Sequence, residues 1–316
     1  MSIKDEKLQR VLACPNCKKP KLVSDAKNIT CQACGESYSL FFGTPILIKA
    51  GSPVFEWYQP RLASRESRNQ SFQRLQNLYW WLRPEARVWT KLSQRILQEL
   101  VDNVNPDSDD TQIILLGAGF ETAFKRILEP YENIIRIGLA SQGEVDFFSD
   151  ACEMPLQTNS IDLIMSSSVL EHVYDIEKAV IEMNRAIKPG GFVYAEIPFM
   201  RAYHMIPIDY QRFTISGIEK LFERNGFKLV NKGICSGPFT AATLFIIDFL
   251  SSFFYFNKFL RAVVTLILSI LLHPVKFIDR LFENSEWAEI TACNFFYVGE
   301  KIDNFHYQSK TNCRND

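Results

Sequence analysis

The sequence lacks an excess of charge of either sign. Its 316 residues include 35 basic and 36 acidic side chains, which leaves a formal net charge of −1. Proteins that bind nucleic acid present clustered basic side chains to the phosphate backbone. We therefore expect no nucleic-acid partner unless a local patch supplies that charge.

The N-terminus lacks the apolar core of a secretory signal, because Met1 to Arg10 is rich in charged residues. We therefore expect a cytoplasmic protein whose cysteines stay reduced. With 47% hydrophobic residues, the chain can bury enough surface for one full domain and a smaller one.

The most apolar segment, residues 239–272, lacks the charge-free run of about 20 residues that a membrane-spanning helix needs, so we expect no transmembrane helix there. Basic and small polar residues recur at helical spacing: Lys258, Arg261, Thr265, Ser269, His273, Lys276 and Arg280. A basic stripe beside a broad apolar face is typical of a helix in a membrane interface, which favours peripheral attachment to the inner membrane through residues 239–280. The alternative is packing over the sheet or across a dimer.

Two Cys-x-x-C pairs, thirteen residues apart, contain four of the eight cysteines: Cys14, Cys17, Cys31 and Cys34. This spacing is typical of a zinc ribbon, in which four thiolates complete a tetrahedral site. A closed site has no position for substrate, so we predict a structural Zn²⁺ that supplies folding energy to residues 1–49. The alternative is four free or redox-active cysteines.

Apolar runs alternate with helical patterns between residues 111 and 238. Residues 112–116 and 160–166 resemble buried strands, and a helix with apolar residues at three- and four-residue spacing follows Asp175. Lys188-Pro189-Gly190-Gly191 ends that helix before another strand. The alternation predicts a parallel sheet with helices on both faces, whose ligands bind at the carboxyl ends of the strands.

A glycine turn follows the first of these strands. Gly117 and Gly119 flank Ala118, and glycine lets the backbone approach a ligand without interference from Cβ. In a parallel sheet this turn lies at the same edge as residues 166–172. We predict a nucleotide-like ligand there.

The chain resembles the class I S-adenosylmethionine-dependent methyltransferases, especially the type 11-like branch. The resemblance covers roughly half the chain and consists of motifs in a fixed order: Gly117-Ala118-Gly119, Asp150-Ala151, Leu170-Glu171-His172-Val173 and Lys188-Pro189-Gly190-Gly191. It implies an α/β, Rossmann-like, doubly wound sheet of seven strands. It also implies S-adenosylmethionine as cofactor, bound by Gly117, Ala118, Gly119, Asp150, Ala151 and Ser166.

The resemblance implies an acceptor site beside this cofactor, for a small-molecule or lipid-linked acceptor. His172 is the preferred general base because an imidazole titrates near neutral pH, and Glu171 and His204 are alternatives. A histidine that only caps or packs is the competing interpretation. Residues expected on the acceptor side are Tyr203, His204, Tyr210 and Arg212, although Arg212 can equally be an ion-pair partner.

Three positions depart from the family pattern. Leu115 replaces an acid before the glycine turn, Glu121 replaces a third glycine, and residues 134–140 lack the acid that binds the ribose. Such a carboxylate contributes about 2 kcal/mol through charge-assisted hydrogen bonds. Glu144 or Asp146 can replace it from the next loop. The second hypothesis is therefore a non-catalytic adaptor with a degenerate cofactor site.

The N-terminal cysteine segment resembles the zinc-ribbon module that activates certain methyltransferases, either buttressing the catalytic domain or touching the acceptor. We expect the aromatic residues between positions 57 and 89 either to cover the cofactor pocket or to pack between the ribbon and the core. The expected organisation is a zinc ribbon (1–49), a helical linker or cap (50–110), a methyltransferase-like core (111–238), a hydrophobic helical insertion (239–289), the last core strand (290–303) and a tail (304–316).

Overall fold

The computed structural model describes residues 6–25, 28–54, 90–117, 124–128, 130–131, 134–139, 145–203, 208–283 and 285–303. Several residues singled out in the sequence lie outside these ranges: Ala118, Gly119, Glu121, Ala140, Glu144, His204, the aromatic residues between 57 and 89, and residues 304–316.

An N-terminal module contains the two cysteine pairs. It begins with helix α1 (Glu6–Val11), and four short antiparallel strands follow in chain order: β1 (Leu22–Ser24), β2 (Asn28–Cys31), β3 (Ser37–Phe41) and β4 (Thr44–Pro45). We call residues 6–54 the cysteine module.

A mixed sheet of seven strands forms the body, in the order β10-β11-β9-β8-β5-β6-β7. The strands are β5 (Ile113–Leu116), β6 (Ile134–Gly138), β7 (Phe147–Phe148), β8 (Ile161–Ser167), β9 (Ile187–Pro198), β10 (Phe227–Ser236) and β11 (Asn294–Lys301). Strands β5 to β9 pair in parallel, and β11 runs antiparallel to both of its neighbours. The expected α/β sheet of seven strands is confirmed.

The described helices after the cysteine module are α2 (Lys91–Asn103), α3 (Lys125–Leu128), α4 (Ile176–Ala186), α5 (Ile215–Glu223), α6 (Pro238–Ser252), α7 (Lys258–Leu272) and α8 (Glu286–Glu289). Asp175 caps α4 as expected, because its carboxylate accepts a hydrogen bond from the Lys178 amide at 3.0 Å. Strand β9 begins at Ile187, so the Lys188–Gly191 motif belongs to the strand and does not precede it.

Alternating side chains of the sheet face two different layers. Ile113 and Leu115 pack against α2 on one face, in a cluster that includes Leu97 and Val101. Ile114 and Leu116 face the other way, into a core that also contains residues of the cysteine module: Leu8, Val11, Leu12, Cys14, Ile29, Cys31, Tyr38 and Leu47. The module and the sheet therefore share one hydrophobic core.

Backbone hydrogen bonds attach the cysteine module to the loop after β7. The Ala13 amide donates to the Pro155 carbonyl at 2.9 Å, and the Leu47 amide donates to the Phe148 carbonyl at 2.9 Å. Lys18 forms an ion pair with Glu182 of α4 at 2.9 Å. These contacts are those of a buttress beside residues 148–157.

Helices α6 and α7 pack together after β10, and with the 3₁₀ segment Val275–Leu281 they form what we call the apolar hairpin. Its Lys258–Leu281 segment is 24 residues long, and by length and composition alone it can cross a membrane. The expectation of no such helix is wrong by this criterion, because Lys258 and Arg261 both lie in the first turn of α7. The expected basic stripe is also wrong, since Thr265, Ser269 and Lys276 are buried.

Candidate functional site

The carboxyl edge of the parallel strands begins with Gly117, directly after β5. Its φ is +86°, and its amide donates a hydrogen bond to the Ile137 carbonyl at 2.7 Å. A Cβ at this position would lie 2.0 Å from Cγ2 of Val169, which follows β8. Glycine is required here both by the backbone conformation and by the close approach of Val169.

Ser166 lies beside this turn, since it pairs with Leu116 where β5 and β8 reach the edge. Its side chain is fully buried, and its Oγ has no hydrogen-bond partner among the described residues. A buried hydroxyl in this state costs free energy unless another molecule supplies a partner. Ser166 is thus a credible ligand contact, as the sequence predicted.

Asp150 ends the segment after β7 and is almost fully buried. Its Oδ1 accepts a hydrogen bond from the Cys152 amide at 2.8 Å, which caps the 3₁₀ turn Ala151–Glu153. Its Oδ2 accepts one from the Ser52 hydroxyl at 2.6 Å. A carboxylate has about four lone-pair positions, so Asp150 can still accept a hydrogen bond from an adenine amine.

Ser52 was not singled out by sequence reasoning, since it lies 98 residues before Asp150 in an ordinary-looking Gly-Ser-Pro boundary. The hydroxyl reaches Asp150 because the chain leaving the cysteine module passes along the loop after β7. No local pattern signals such a contact.

Strand β6 has no carboxylate where the ribose-binding acid is expected, among the described residues 134–139. Asp146 does not replace it, because its carboxylate accepts a hydrogen bond from the Arg136 amide at 2.7 Å. Arg136 lies two residues before the carboxyl end of β6, so Asp146 faces the middle of that strand. Glu144, the other suggested replacement, is outside the described residues.

His172 lies in the 3₁₀ turn Leu170–His172 that follows β8. Its Nδ1 is 2.8 Å from the Ile208 carbonyl, which can only accept, so Nδ1 carries the proton. Burial lowers the pKa of His172, which keeps the ring neutral at physiological pH. Nε2 then carries the lone pair that a general base needs, 3.8 Å from Oε1 of Glu171.

Glu171 is fully buried beneath His172. Burial raises the pKa of this carboxyl to about 8, so its neutral form dominates at pH 7. A neutral carboxylic acid does not accept a proton, which makes Glu171 a weaker candidate base than His172.

Residues 208–212 cover the turn that contains His172. The Tyr210 amide donates to the Glu171 carbonyl at 2.8 Å, and the Gln211 side-chain amide donates to the Leu170 carbonyl at 2.9 Å. Arg212 forms a two-point ion pair with the buried Asp209, which is the alternative to an acceptor contact. Tyr203 and Tyr210 are exposed nearby in sequence, and His204 is outside the described residues.

Glu196 is a buried acid at the same edge that sequence reasoning missed. Its carboxylate accepts hydrogen bonds from the Ser167 hydroxyl at 2.5 Å and the Tyr194 hydroxyl at 2.8 Å. Burial raises the pKa of Glu196 to about 7. The sequence feature that could have identified Glu196 is its position as an acid inside the apolar run of β9. A carboxyl buried in such a strand requires hydrogen-bonding partners.

The four cysteine sulfur atoms of the N-terminal pairs lie within 4.8 Å of one another. Sγ of Cys14 is 3.7 Å from Sγ of Cys34, and Sγ of Cys17 is 3.6 Å from Sγ of Cys31. Tetrahedral Zn–S bonds of about 2.3 Å place two sulfur atoms about 3.8 Å apart. This donor set is therefore compatible with a structural Zn²⁺.

Comparison with known proteins finds a methyltransferase domain in the body. Residues 132–195 match the family model of that description. The demethylmenaquinone methyltransferase of Staphylococcus aureus is 29% identical over 101 residues, which cover 30% of this chain and 42% of the relative. The chain thus spans less than half the length of the curated relatives it matches.

Solved structures give weaker likenesses. A sarcosine dimethylglycine methyltransferase from Galdieria sulphuraria has a TM-score of 0.41 at 14% identity, over 72% of this chain and 86% of that one. A complex of the Haloferax volcanii Trm112 methyltransferase activator with a methyltransferase has a TM-score of 0.38 at 16% identity, over 61% and 83%. Scores of this size carry no argument about ligands.

The matched residues 132–195 run from the start of β6 into β9, so they include the segments that hold Asp150, Ser166 and His172. The match therefore covers the part of the seven-stranded sheet that contains these three candidate residues.

Proposed function

We propose that the protein is an S-adenosylmethionine-dependent methyltransferase that acts on a small-molecule or lipid-linked acceptor. The match of residues 132–195 to a methyltransferase domain carries the proposal. The demethylmenaquinone methyltransferase among the relatives adds support for a small-molecule acceptor.

The residues of the carboxyl edge suit this chemistry. S-adenosylmethionine, when bound, supplies a methyl group on a positively charged sulfur for attack by an acceptor atom. Asp150 offers acceptor positions for the adenine amine, and Ser166 offers a buried hydroxyl. Gly117 forms the turn beside Ser166, where Val169 packs against its Cα. Positioning of this kind accounts for most of the rate of a methyl transfer.

His172 has the orientation of a general base for a hydroxyl acceptor. With the cofactor bound, Nε2 of His172 would accept the proton of the acceptor hydroxyl, while Nδ1–H stays bonded to the Ile208 carbonyl. The lowered pKa of His172 keeps Nε2 unprotonated before the reaction.

Isothermal titration with S-adenosylhomocysteine tests the cofactor assignment. We expect saturable binding with a Kd below about 1 mM to folded, zinc-loaded protein, and no binding of ATP under the same conditions. Absence of binding by folded protein would overturn the enzyme and favour the adaptor hypothesis, for which the missing acid of β6 is the specific observation.

Transfer of a tritiated methyl group from S-adenosylmethionine into extracted cellular lipids, or into the water-soluble fraction, identifies the acceptor class. His172→Ala should lower incorporation by about 10²- to 10⁴-fold if proton removal limits the step. His273→Ala, in the apolar hairpin, is the matched control and should retain incorporation.

A further inference from the structure

The apolar hairpin has the polarity of its helices reversed relative to helices that face water. On α7 the buried residues are Thr265 and Ser269, while apolar side chains such as Phe259 and Leu271 are 79% and 67% exposed. A helix on a soluble protein turns its apolar stripe inward and its polar residues outward. The exposed surface of α7 is therefore suited to apolar surroundings.

Helix α6 also exposes a row of apolar side chains, and it buries Leu244 and Ile247 together with small residues. Small residues face the body or α7, among them Thr240, Ala241, Thr243 and Ser251, whereas Phe245, Phe249 and Phe253 form an exposed row of touching rings. Helices in membranes pack through small and hydroxyl residues, because burying larger apolar side chains gains nothing when the surroundings are lipid.

Several hydroxyl groups of the hairpin bond to their own helix. Thr265 Oγ1 donates to the Arg261 carbonyl at 2.8 Å, and Ser252 Oγ donates to the Phe249 carbonyl at 2.7 Å. Such bonds satisfy a hydroxyl without water, which is the condition inside a bilayer.

Aromatic and basic residues lie at both ends of the hairpin. At the tip, the exposed Tyr255 has the Arg261 guanidinium 5.6 Å from its ring centroid, next to Lys258. At the base, Arg280 lies 5.2 Å from the ring of Phe277, and the exposed Trp287 packs on Phe282. Aromatic side chains and snorkelling cations occupy these levels at the two faces of a bilayer.

The length of the hairpin fits this arrangement. Each helix has 15 residues, so it rises about 22 Å from base to tip. In a hydrocarbon layer of about 30 Å, Lys258 then lies about 8 Å and Arg261 about 12 Å from the far surface, so their long side chains extend toward it.

Hydrogen bonds join the two ends of the hairpin at its base. The Asp279 carboxylate accepts hydrogen bonds from the Phe239 and Thr240 amides at 2.8 and 3.0 Å, and from the Thr240 hydroxyl at 2.6 Å. A Cβ on Gly237 would lie 2.5 Å from Oδ1 of Asp279. The start of α6 and the end of the hairpin are thereby held together.

This base lies on the same edge of the sheet as the candidate site. Ser236 pairs with Asn294, and Asn294 pairs with Pro198, so the carboxyl ends of β10 and β9 are level. Three strand spacings separate β10 from β8, which places the base about 14 Å from the end of β8 where Ser166 lies.

We propose that the apolar hairpin inserts into a lipid bilayer from one side and holds the carboxyl edge of the sheet against the lipid surface. The acceptor is then an amphiphile whose apolar tail lies in that bilayer, a conclusion that rests on the proposed function. A bilayer is favoured over a second copy of the chain by the aromatic and basic residues at both ends of the hairpin, which match the two faces of a bilayer.

Flotation of the whole protein with phosphatidylcholine vesicles tests insertion. We expect the zinc-loaded protein to float with neutral vesicles and to remain bound in 1 M NaCl, since apolar insertion does not depend on charge. A variant with Ile267→Glu, Ile270→Glu and Leu271→Glu should float about tenfold less or worse, because carboxylates are costly in hydrocarbon. Val23→Glu, Phe42→Glu and Val230→Glu, at exposed apolar positions outside the hairpin, should float like the parent.

Two outcomes would overturn insertion. One is folded protein that stays at the bottom of the gradient with neutral vesicles, or that binds anionic vesicles and dissociates from them in 1 M NaCl. The other is a parent protein that is a dimer by light scattering and a triple-glutamate variant that is a monomer, with no flotation of either protein. S-adenosylhomocysteine titration of the same samples separates these failures from failure of the proposed function, because the hairpin variant should bind it as the parent does.

Bimane labels test the orientation of the sheet. A label on Met200→Cys, just after β9, should be quenched by headgroup nitroxide lipids, and a label on Lys228→Cys, at the opposite end of β10, should not. The unsubstituted protein, treated with the same reagent, corrects for its own cysteines. Equal quenching, or the reverse order, would overturn the proposed orientation and the membrane-borne acceptor.

Discussion

At the scale of single residues, Gly117 combines two constraints, of which Gly190 has only one. It has a left-handed backbone and no space for a Cβ, whereas Gly190 has a φ of +73° and nothing within 4 Å of the same atom. Gly117→Ala should therefore lower the free energy of unfolding by more than the backbone term of about 1–2 kcal/mol. Gly190→Ala should show the backbone term alone. Urea denaturation of both variants measures the difference.

Removing the obstructing side chain provides the check on this reasoning. Gly117→Ala should lower the free energy of unfolding less in a Val169→Ala background than in the parent protein, because the obstructing side chain is then gone. Equal losses at Gly117 and Gly190 would show that the approach of Val169 has no energetic consequence.

The buried acids make stability depend on pH. Burial raises the pKa of Glu196 from its ordinary value of 4.5 to about 7 in the folded protein, so the folded state binds more protons between these limits. Stability should therefore fall as the pH rises from about 4.5 to 7, and Glu171 adds the same sign up to about pH 8. Glu196→Gln should flatten part of this slope in urea midpoints measured across that range. A variant with the slope of the parent would contradict the assignment.

Site residues whose type and spacing indicate their chemistry could be predicted from the sequence. Site residues whose role depends on a partner distant in sequence could not. The four cysteines converge as their spacing indicates, and Gly117 and Ser166 lie at one edge because parallel strands end together. Ser52 and Glu196 escaped because their hydrogen-bond partners are remote in sequence or lie on adjacent strands.

At the scale of elements, periodicity predicted helices but not always the side that each one buries. The stripe from Lys258 to Arg280 follows helical spacing, yet Thr265 and Ser269 face inward. Helical spacing predicts that a polar stripe faces outward only if the helix is surrounded by water. That prediction fails for α7, whose exposed side chains between residues 266 and 271 are apolar. The apolar runs of β5 and β8 carried no such ambiguity, since both faces of a central strand are buried.

The cysteine module provides an element-scale prediction. We expect one Zn²⁺ per chain by elemental analysis, and Cys31→Ser should remove it and lower the melting temperature of the whole protein. The effect should reach the body because Cys31 and Leu12 share a core with Leu156. Cys293→Ser, a buried cysteine outside the cluster, should retain the metal. Full metal content in Cys31→Ser would contradict the assignment.

At the scale of the whole molecule, sequence reasoning gave the sheet but not the attachment of its neighbours. The α/β class and the seven-stranded sheet followed from alternating patterns and from the resemblance, whereas the contact between Lys18 and Glu182 spans 164 residues. Contacts of this separation depend on the completed fold, and no local pattern encodes them.

The bond from Ser52 to Asp150 joins the exit of the cysteine module to the loop expected beside the adenine. A separate activating subunit would have to meet its enzyme at cellular concentration, but a covalent tether keeps the two at an effective concentration on the order of millimolar. Dilution therefore cannot separate the cysteine module from the body, and the two are made in a fixed one-to-one proportion.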